Sequence, residues 1–253
     1  ALIDSGVTVA NVPSISTRVR SNPSAGISIA TATMPASGNP TIAHQLGYKP
    51  DFLIFKSRTS TEAWYISHKG LANQSSKFLR FDTTEEITNT NWFNDTEPDS
   101  NVVTIRVGGG ISAGHDVIMF SFREVEGFSA FGSYQGNGAT NNIGPFVALS
   151  FSPRWVMIKN ITISGSNYTS WFIQDSARNP TNMMPNDQIL WANRPAGEGV
   201  RGDGSSNSTY NDIDFLSNGF KIREDSTHEL NDGNATYVYA AFADHPYKYA
   251  RAK

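Results

Sequence analysis

Cysteine is absent from all 253 residues of the chain, which excludes disulfide bonds, thiolate catalysis and cysteine-ligated zinc. No apolar run approaches the about 18 residues of a membrane-spanning helix, so membrane insertion is not expected. Basic residues are outnumbered by acidic ones, 20 to 23, and a nucleic-acid partner is not expected because such a protein needs a basic face. The first ten residues lack a basic segment followed by an apolar one, so no signal peptide is predicted.

Sustained helical periodicity is also missing, and short β-rich runs take its place. Runs such as Asp51–Lys56, Val102–Val107 and Asp116–Phe122 are separated by clusters of Gly, Asn, Asp, Ser and Pro. With 11% aromatic residues, the chain has enough large side chains for a sizeable core. The pattern predicts an all-β protein, an antiparallel β-sandwich of jelly-roll type.

Residues 1–40 differ in composition from the rest of the chain. They contain no aromatic residue, and their short β-branched stretches at 7–9 and 27–29 are bounded by Pro13, Pro23 and Pro35. Such a segment buries too little apolar surface to offset its chain entropy alone. An extended N-terminal arm is therefore predicted, which docks on a neighbouring subunit or a scaffold, with a flexible linker as the alternative.

The remainder of the chain contains one internal repeat. Four stretches of the first copy recur in the same order in the second. The difference in residue number between matched stretches increases steadily along the chain. The matched pairs are 49–56 with 152–159, 63–68 with 170–175, 100–106 with 217–223, and 119–122 with 239–242. A repeat of this length indicates a duplicated domain. We predict a first β repeat at 41–126 and a second at 127–253, packed on a common core.

The search for catalytic chemistry gives only weak candidates. Gly110–Gly114 fits the G-x-S-x-G nucleophile elbow, but that motif lies between a strand and a helix, whereas a strand-like run follows here. The five histidines have no metal-ligand spacing. Asp212 and Asp214 would share one face of a strand, as a glycosidase pair requires, yet solvated loops often carry such acids. We expect no enzyme activity, no cofactor and no metal.

Tryptophan residues are the candidates for sugar binding, because an aromatic face offers an apolar platform for a sugar ring. Trp92 lies in the polar stretch Asn89–Asn94, and Trp191 has mixed neighbours. Both are predicted as glycan-binding residues. Trp64 and Trp171 recur at matching repeat positions beside apolar residues and are predicted to lie in the core.

A series of motifs carries a resemblance to a known family. It consists of Ile42–Asp51, Gly127–Gly138 (sequence GFSAFGSYQGNG), Gly144–Val147, Pro153–Lys159, Trp171–Arg178, Leu216–Lys221 and Tyr237–Ala243. This series resembles a domain of virion proteins of tailed bacteriophages, especially tail fibre and appendage proteins of aquatic phages. The likeness covers about residues 38–253 and supplies no catalytic residues.

The resemblance implies a structural protein of the phage virion, assembled in the bacterial cytoplasm. A tail fibre or appendage component that binds a glycan of the host surface is the first expectation. The partners would be other virion proteins and further copies of the chain, with a trimer favoured. The alternatives are a capsid decoration protein stapled to capsomers by its arm and, more remotely, a sandwich-fold carbohydrate-active enzyme or lectin.

Overall fold

The structure is a computed structural model. It describes residues 12–83, 88–89, 91–139, 142–162, 169–178, 180, 182, 189–195, 197–198, 212–223 and 230–244. These residues form seventeen strands and no helix, and every pairing between strands is antiparallel. The predicted all-β class is confirmed.

The strands, in chain order, are β1 (Thr17–Asn22), β2 (Ile27–Thr33), β3 (Thr41–Ala43), β4 (Phe52–Ser57), β5 (Tyr65–His68), β6 (Lys77–Arg80), β7 (Thr88–Asn89), β8 (Val102–Thr104), β9 (Asp116–Phe122), β10 (Ser129–Gln135), β11 (Phe146–Ala148), β12 (Pro153–Asn160), β13 (Trp171–Asp175), β14 (Leu190–Trp191), β15 (Ile213–Leu216), β16 (Gly219–Ile222) and β17 (Thr236–Ala243).

Two large sheets form the centre of the molecule. The first has the order β1-β2-β9-β4-β5-β6-β7, and the second has the order β10-β17-β12-β13-β14. Side chains from both meet in one cluster, the shared core, which consists of Phe52, Ile66, Leu71, Leu79, Phe131, Met157, Ile161, Trp171, Val238 and Ala240. The two sheets are therefore the inner layers of a sandwich, because this core contains residues from each of them.

A smaller sheet covers the other face of each large sheet. The pair β3-β8 packs on the first sheet through Ile42 and Val103, and β11-β16-β15 packs on the second through Val147 and Phe220. Alternate residues along each central strand therefore face different cores, as the two-residue period of a strand requires. Four layers result, with one core between each adjacent pair.

The predicted N-terminal arm is wrong over the residues that the structure describes. Residues 17–33 form β1 and β2, and β2 lies inside the first sheet, paired with β1 on one side and β9 on the other. The low apolar content of this segment misled the prediction, since Ser28, Ala30 and Ala32 are small side chains that are buried in the sheet. Residues 1–11 lie outside the described residues.

The two large sheets have the same strand order over five strands. The series β2-β9-β4-β5-β6 corresponds to β10-β17-β12-β13-β14. The register also corresponds: Phe122 lies opposite Phe52 in the first sheet, and Phe242 lies opposite Trp155 in the second. Three of the four sequence matches lie on these equivalent strands, and the fourth, 100–106 with 217–223, relates β8 and β16 of the two small sheets. The equivalence begins at β2 rather than at residue 41. A duplication of the domain remains our interpretation of this pattern.

Candidate functional site

Both tryptophans predicted to bind glycan are buried, so this prediction is wrong. Trp92 is 0% exposed and packs between the rings of Phe55, Tyr65 and Phe93, with centroid distances of 5.5, 5.2 and 4.4 Å. Trp191 is 7% exposed and lies edge-on to Phe172 in the outer core of the second half. Neither ring can offer a face to a sugar, because other side chains cover both.

The exposed tryptophan is Trp64, which the repeat placed in the core. It is 41% exposed, whereas Trp171, its equivalent in the second half, is 2% exposed, which confirms the prediction for Trp171. Trp171 packs against Phe81 of the first half and donates its indole N–H to the carbonyl of Arg80 at 2.6 Å. Trp64 has no such cover and lies 5.9 Å from the Lys56 ammonium. Equivalent positions thus have different environments.

Trp64 belongs to a part of the first sheet that the second sheet leaves uncovered. Strand alternation places these residues on the face that elsewhere forms the shared core, yet they are exposed or only partly buried. We call this surface the open face. It consists of Arg18, Arg20, Ile29, Thr31, Thr33, Lys56, Arg58, Trp64, Asp116, Ile118 and Phe120.

Two adjoining depressions in the open face share Arg18 and Thr31. The first has a volume of about 400 Å³, with Arg58 and Asp116 at its wall, and the second has about 420 Å³, with Arg20 and Ile29. On β2, Thr31 lies opposite Arg18 of β1 and the apolar Ile29 lies opposite Arg20, and Thr33 adds a further hydroxyl group to the first depression. Together they form a groove of mixed polar and apolar character.

The groove is positively charged although the chain carries a net charge of −3. Within the described residues, Arg18, Arg20 and Arg58 form no ion pair. The nearby carboxylate of Asp116 accepts a hydrogen bond from the Thr33 hydroxyl at 2.6 Å. Guanidinium groups without a carboxylate partner are suited to bind carboxylate or phosphate groups, which they bind in a bidentate way.

The G-x-S-x-G segment supports a neighbouring loop and has no catalytic geometry. The Ser112 amide donates to the Glu62 carboxylate at 2.8 Å, and His115 Nδ1 lies 3.3 Å from the same carboxylate. Burial raises the pKa of Glu62, but hydrogen bonds from the Ser112 hydroxyl and amide outweigh it, so the net pKa is lowered. Since its hydroxyl bonds to Glu62, Ser112 lacks the serine–histidine bond of a nucleophile.

The remaining candidates for chemistry are structural where the structure describes them. Asp214 accepts a hydrogen bond from Arg223, and Asp212 is buried at the start of β15. His44 and His68 are buried. Among the described residues there is no cluster of acids and histidines able to hold a metal ion, and no helix that would cross a membrane. The sequence also contains two pairs of adjacent acids, Glu85 with Glu86 and Glu224 with Asp225, and both pairs lie outside the described residues.

Sequence reasoning missed Arg18 and Arg20 of the groove because it assigned residues 1–40 to an arm. A signal was present in the alternation of Arg18, Val19 and Arg20, which places both arginines on one face of a strand. Val19 turns to the outer core of the first half. The period of two therefore identifies β1 as a strand with one polar face.

Comparison with protein families places nearly the whole chain in a single family. Neither a curated protein nor a solved structure matches the chain. One family model matches residues 3–246, a span that includes both halves and the N-terminal strands. The chain therefore belongs to the family that is described as a domain of unknown function (DUF7483).

Proposed function

We propose that the protein is a structural component of a tailed-phage virion that binds acidic glycan on the host surface through the open face. The observation that carries the binding role is the groove with Arg18, Arg20 and Arg58, which form no ion pair with any residue that the structure describes. The phage assignment rests on the motif series described above. A cysteine-free, antiparallel β scaffold suits a particle component, because its rigidity needs no redox chemistry or cofactor.

The acidic character of the glycan follows from the charges along the groove. Four cationic side chains lie on the open face: Arg18, Arg20, Lys56 and Arg58. Surface polysaccharides with uronic acid, sialic acid or phosphate groups supply anionic partners at spaced intervals. Threonine hydroxyls bind sugar hydroxyls between these charges, and the Trp64 ring provides a platform for one sugar face.

The alternative of a capsid decoration protein loses much of its basis. It depended on an arm of forty residues that staples capsomers, but residues 17–33 are strands of the first sheet. A tail location is therefore the better proposal. We propose further that the protein acts as a homo-oligomer on the particle and has no enzymatic activity.

Binding is tested with immobilised anionic polysaccharides, for example alginate and polysialic acid, and with neutral dextran as the comparison. We expect binding to the anionic polymers that weakens as salt is raised. Arg18→Gln and Arg58→Gln should each weaken binding about tenfold, which is about 1.4 kcal/mol. The control is Arg106→Gln, an exposed arginine outside the open face, which should leave binding unchanged. Equal loss in all three variants, or equal binding of dextran, would contradict the proposed site.

The virion role is tested separately by labelling intact particles with an antibody against residues 38–253 under electron microscopy. Label confined to the tail supports an appendage protein. Label spread over the head would contradict the tail assignment and favour the decoration alternative. Absence of label from intact particles would refute a virion role without affecting the binding experiment.

A further inference from the structure

The outer strands of the two large sheets differ in how they are protected from pairing with another chain. Strands β7 and β14 have two residues each, and β1 carries Arg18 and Arg20. Short length and charge are both common ways to prevent edge-to-edge association. Strand β10 has neither, since it has seven residues, no charge and no proline.

Hydrogen bonding along β10 leaves alternate backbone groups without a partner among the residues that the structure describes. The even-numbered residues of this segment bond toward β17. For example, the N–H of Gly136, directly after β10, donates to the Ala235 carbonyl at 3.0 Å. Ser129 bonds to Val125 on the opposite side, through its N–H at 2.9 Å and its C=O at 3.3 Å. Because the ladder has a period of two, Phe131, Ser133 and Gln135 also direct their N–H and C=O groups outward. Among the described residues none of these six groups has a partner.

The equivalent backbone N–H and C=O groups of the first sheet are paired with a further strand. On β2 the matching residues are Ile29 and Thr31, which pair with Arg20 and Arg18 of β1. Among the described residues no strand takes this place in the second sheet, and β9 ends at Phe122 while β10 begins at Ser129. The connection is too short to contain a further strand and its turn.

We propose that β10 pairs antiparallel with β10 of a second copy of this chain, around a two-fold axis at Ser133. Phe131 of one copy then lies opposite Gln135 of the other, and the two Ser133 residues lie opposite each other. All six outward groups of each strand find partners in this register. The pairing extends each five-stranded sheet into a ten-stranded one.

A second copy is the fitting occupant for reasons of charge and size. The uncharged strand does not repel itself, and Gly132 and Ser133 keep the centre of the contact small. Ser133 and Gln135 are exposed, so this part of the edge is accessible. The interface is isologous and closes at two copies. This inference predicts a dimer, in contrast to the trimer expected from the resemblance, and it is independent of glycan binding.

The first test is Ser133→Pro, followed by sedimentation velocity. Proline removes the outward N–H but leaves the β10–β17 ladder intact, because Ser133 does not bond to β17. The matched control is Ser21→Pro on β1. The bonds of Gly26 to Arg123 and of Met34 to His115 show that even-numbered residues of β2 bond to β9, so its odd-numbered residues bond to β1. These partners are the even-numbered residues of β1, and the N–H of the exposed Ser21 therefore points outward. We expect the wild type and Ser21→Pro to be dimers, and Ser133→Pro to dimerise at least about tenfold more weakly.

A cysteine variant tests the register directly, because the chain has no other cysteine. Two copies of Ser133→Cys should form an intermolecular disulfide under mild oxidation, since the expected Cα separation of about 5.5 Å suits the bond. Ser21→Cys should not cross-link. A monomeric or trimeric wild type, a Ser133→Pro variant that dimerises normally, or equal cross-linking of both cysteine variants would overturn the proposal.

Discussion

Acidification is expected to destabilise the protein through His68, a histidine that links the two halves. Its Nε2 lies 2.9 Å from the carbonyl oxygen of Tyr239 in the second sheet, and its Nδ1 accepts a hydrogen bond from the Gly70 amide at 2.9 Å. Because Nδ1 is an acceptor, the proton of the neutral ring is on Nε2. Burial lowers the pKa of His68 from 6.5 to about 4.

The size of the effect follows from this pKa difference. The unfolded chain takes up a proton below pH 6.5, whereas the folded protein resists protonation until about pH 4. The stability supplied by the neutral buried ring is therefore present above pH 6.5 and is lost as the pH falls toward 4. Between pH 7 and 4.5 the free energy of unfolding should decrease by about 2.5 kcal/mol on account of His68. This is a substantial part of the about 5–15 kcal/mol that stabilises typical domains.

The assay is urea unfolding at both pH values for the wild type and His68→Gln. Glutamine does not titrate, so the variant should lose about 2.5 kcal/mol less than the wild type over this interval. His44→Gln is the companion variant, because burial also lowers the pKa of His44, which lies near Asp99 and away from the contact between the halves. The same pH dependence in wild type and His68→Gln would refute the reasoning.

Three further predictions concern packing. Trp92→Ala should destabilise the protein by about 3–5 kcal/mol in urea unfolding, whereas a glycan platform would have lost binding without loss of stability. Gly110→Ala should cost about 1–3 kcal/mol, since its φ is +155° and a Cβ atom would lie 2.7 Å from the ring of Tyr65; an unchanged urea midpoint would contradict this. Trp171→Ala should cost about 3–5 kcal/mol and Trp64→Ala less than about 1 kcal/mol, and the reverse order would contradict the assignment of the open face.

The correspondence between strands of the first and second halves could be anticipated from the sequence. Corresponding strands share a local pattern of apolar and polar positions. Residues 152–159 and 49–56 match because both have β-branched or aromatic residues between a proline and a lysine. The structure gives these segments equivalent partners in the two sheets. A pattern of this kind depends on local packing on one strand and is visible without tertiary information.

The environment of Trp92 could not be anticipated in the same way. Apart from Phe93, its neighbours along the chain are polar, and the prediction relied on them. The residues that bury it come from separate strands, Phe55 in β4, Tyr65 in β5 and Phe78 in β6, whose rings surround the indole. Contacts between distant segments therefore determined its burial, and no local composition reports them.

The contrast between Trp64 and Trp171 has the same cause and explains how one repeat produces a binding surface. In both halves a lysine, Lys56 or Lys159, donates to the backbone carbonyl of the residue two positions before the tryptophan. Lys159 is fully buried, whereas Lys56 is only partly buried. The local unit is thus the same, but the two sheets meet asymmetrically, so that the first half covers Trp171 while the second half does not cover Trp64. The open face exists because two similar sheets cannot each cover the whole of the other.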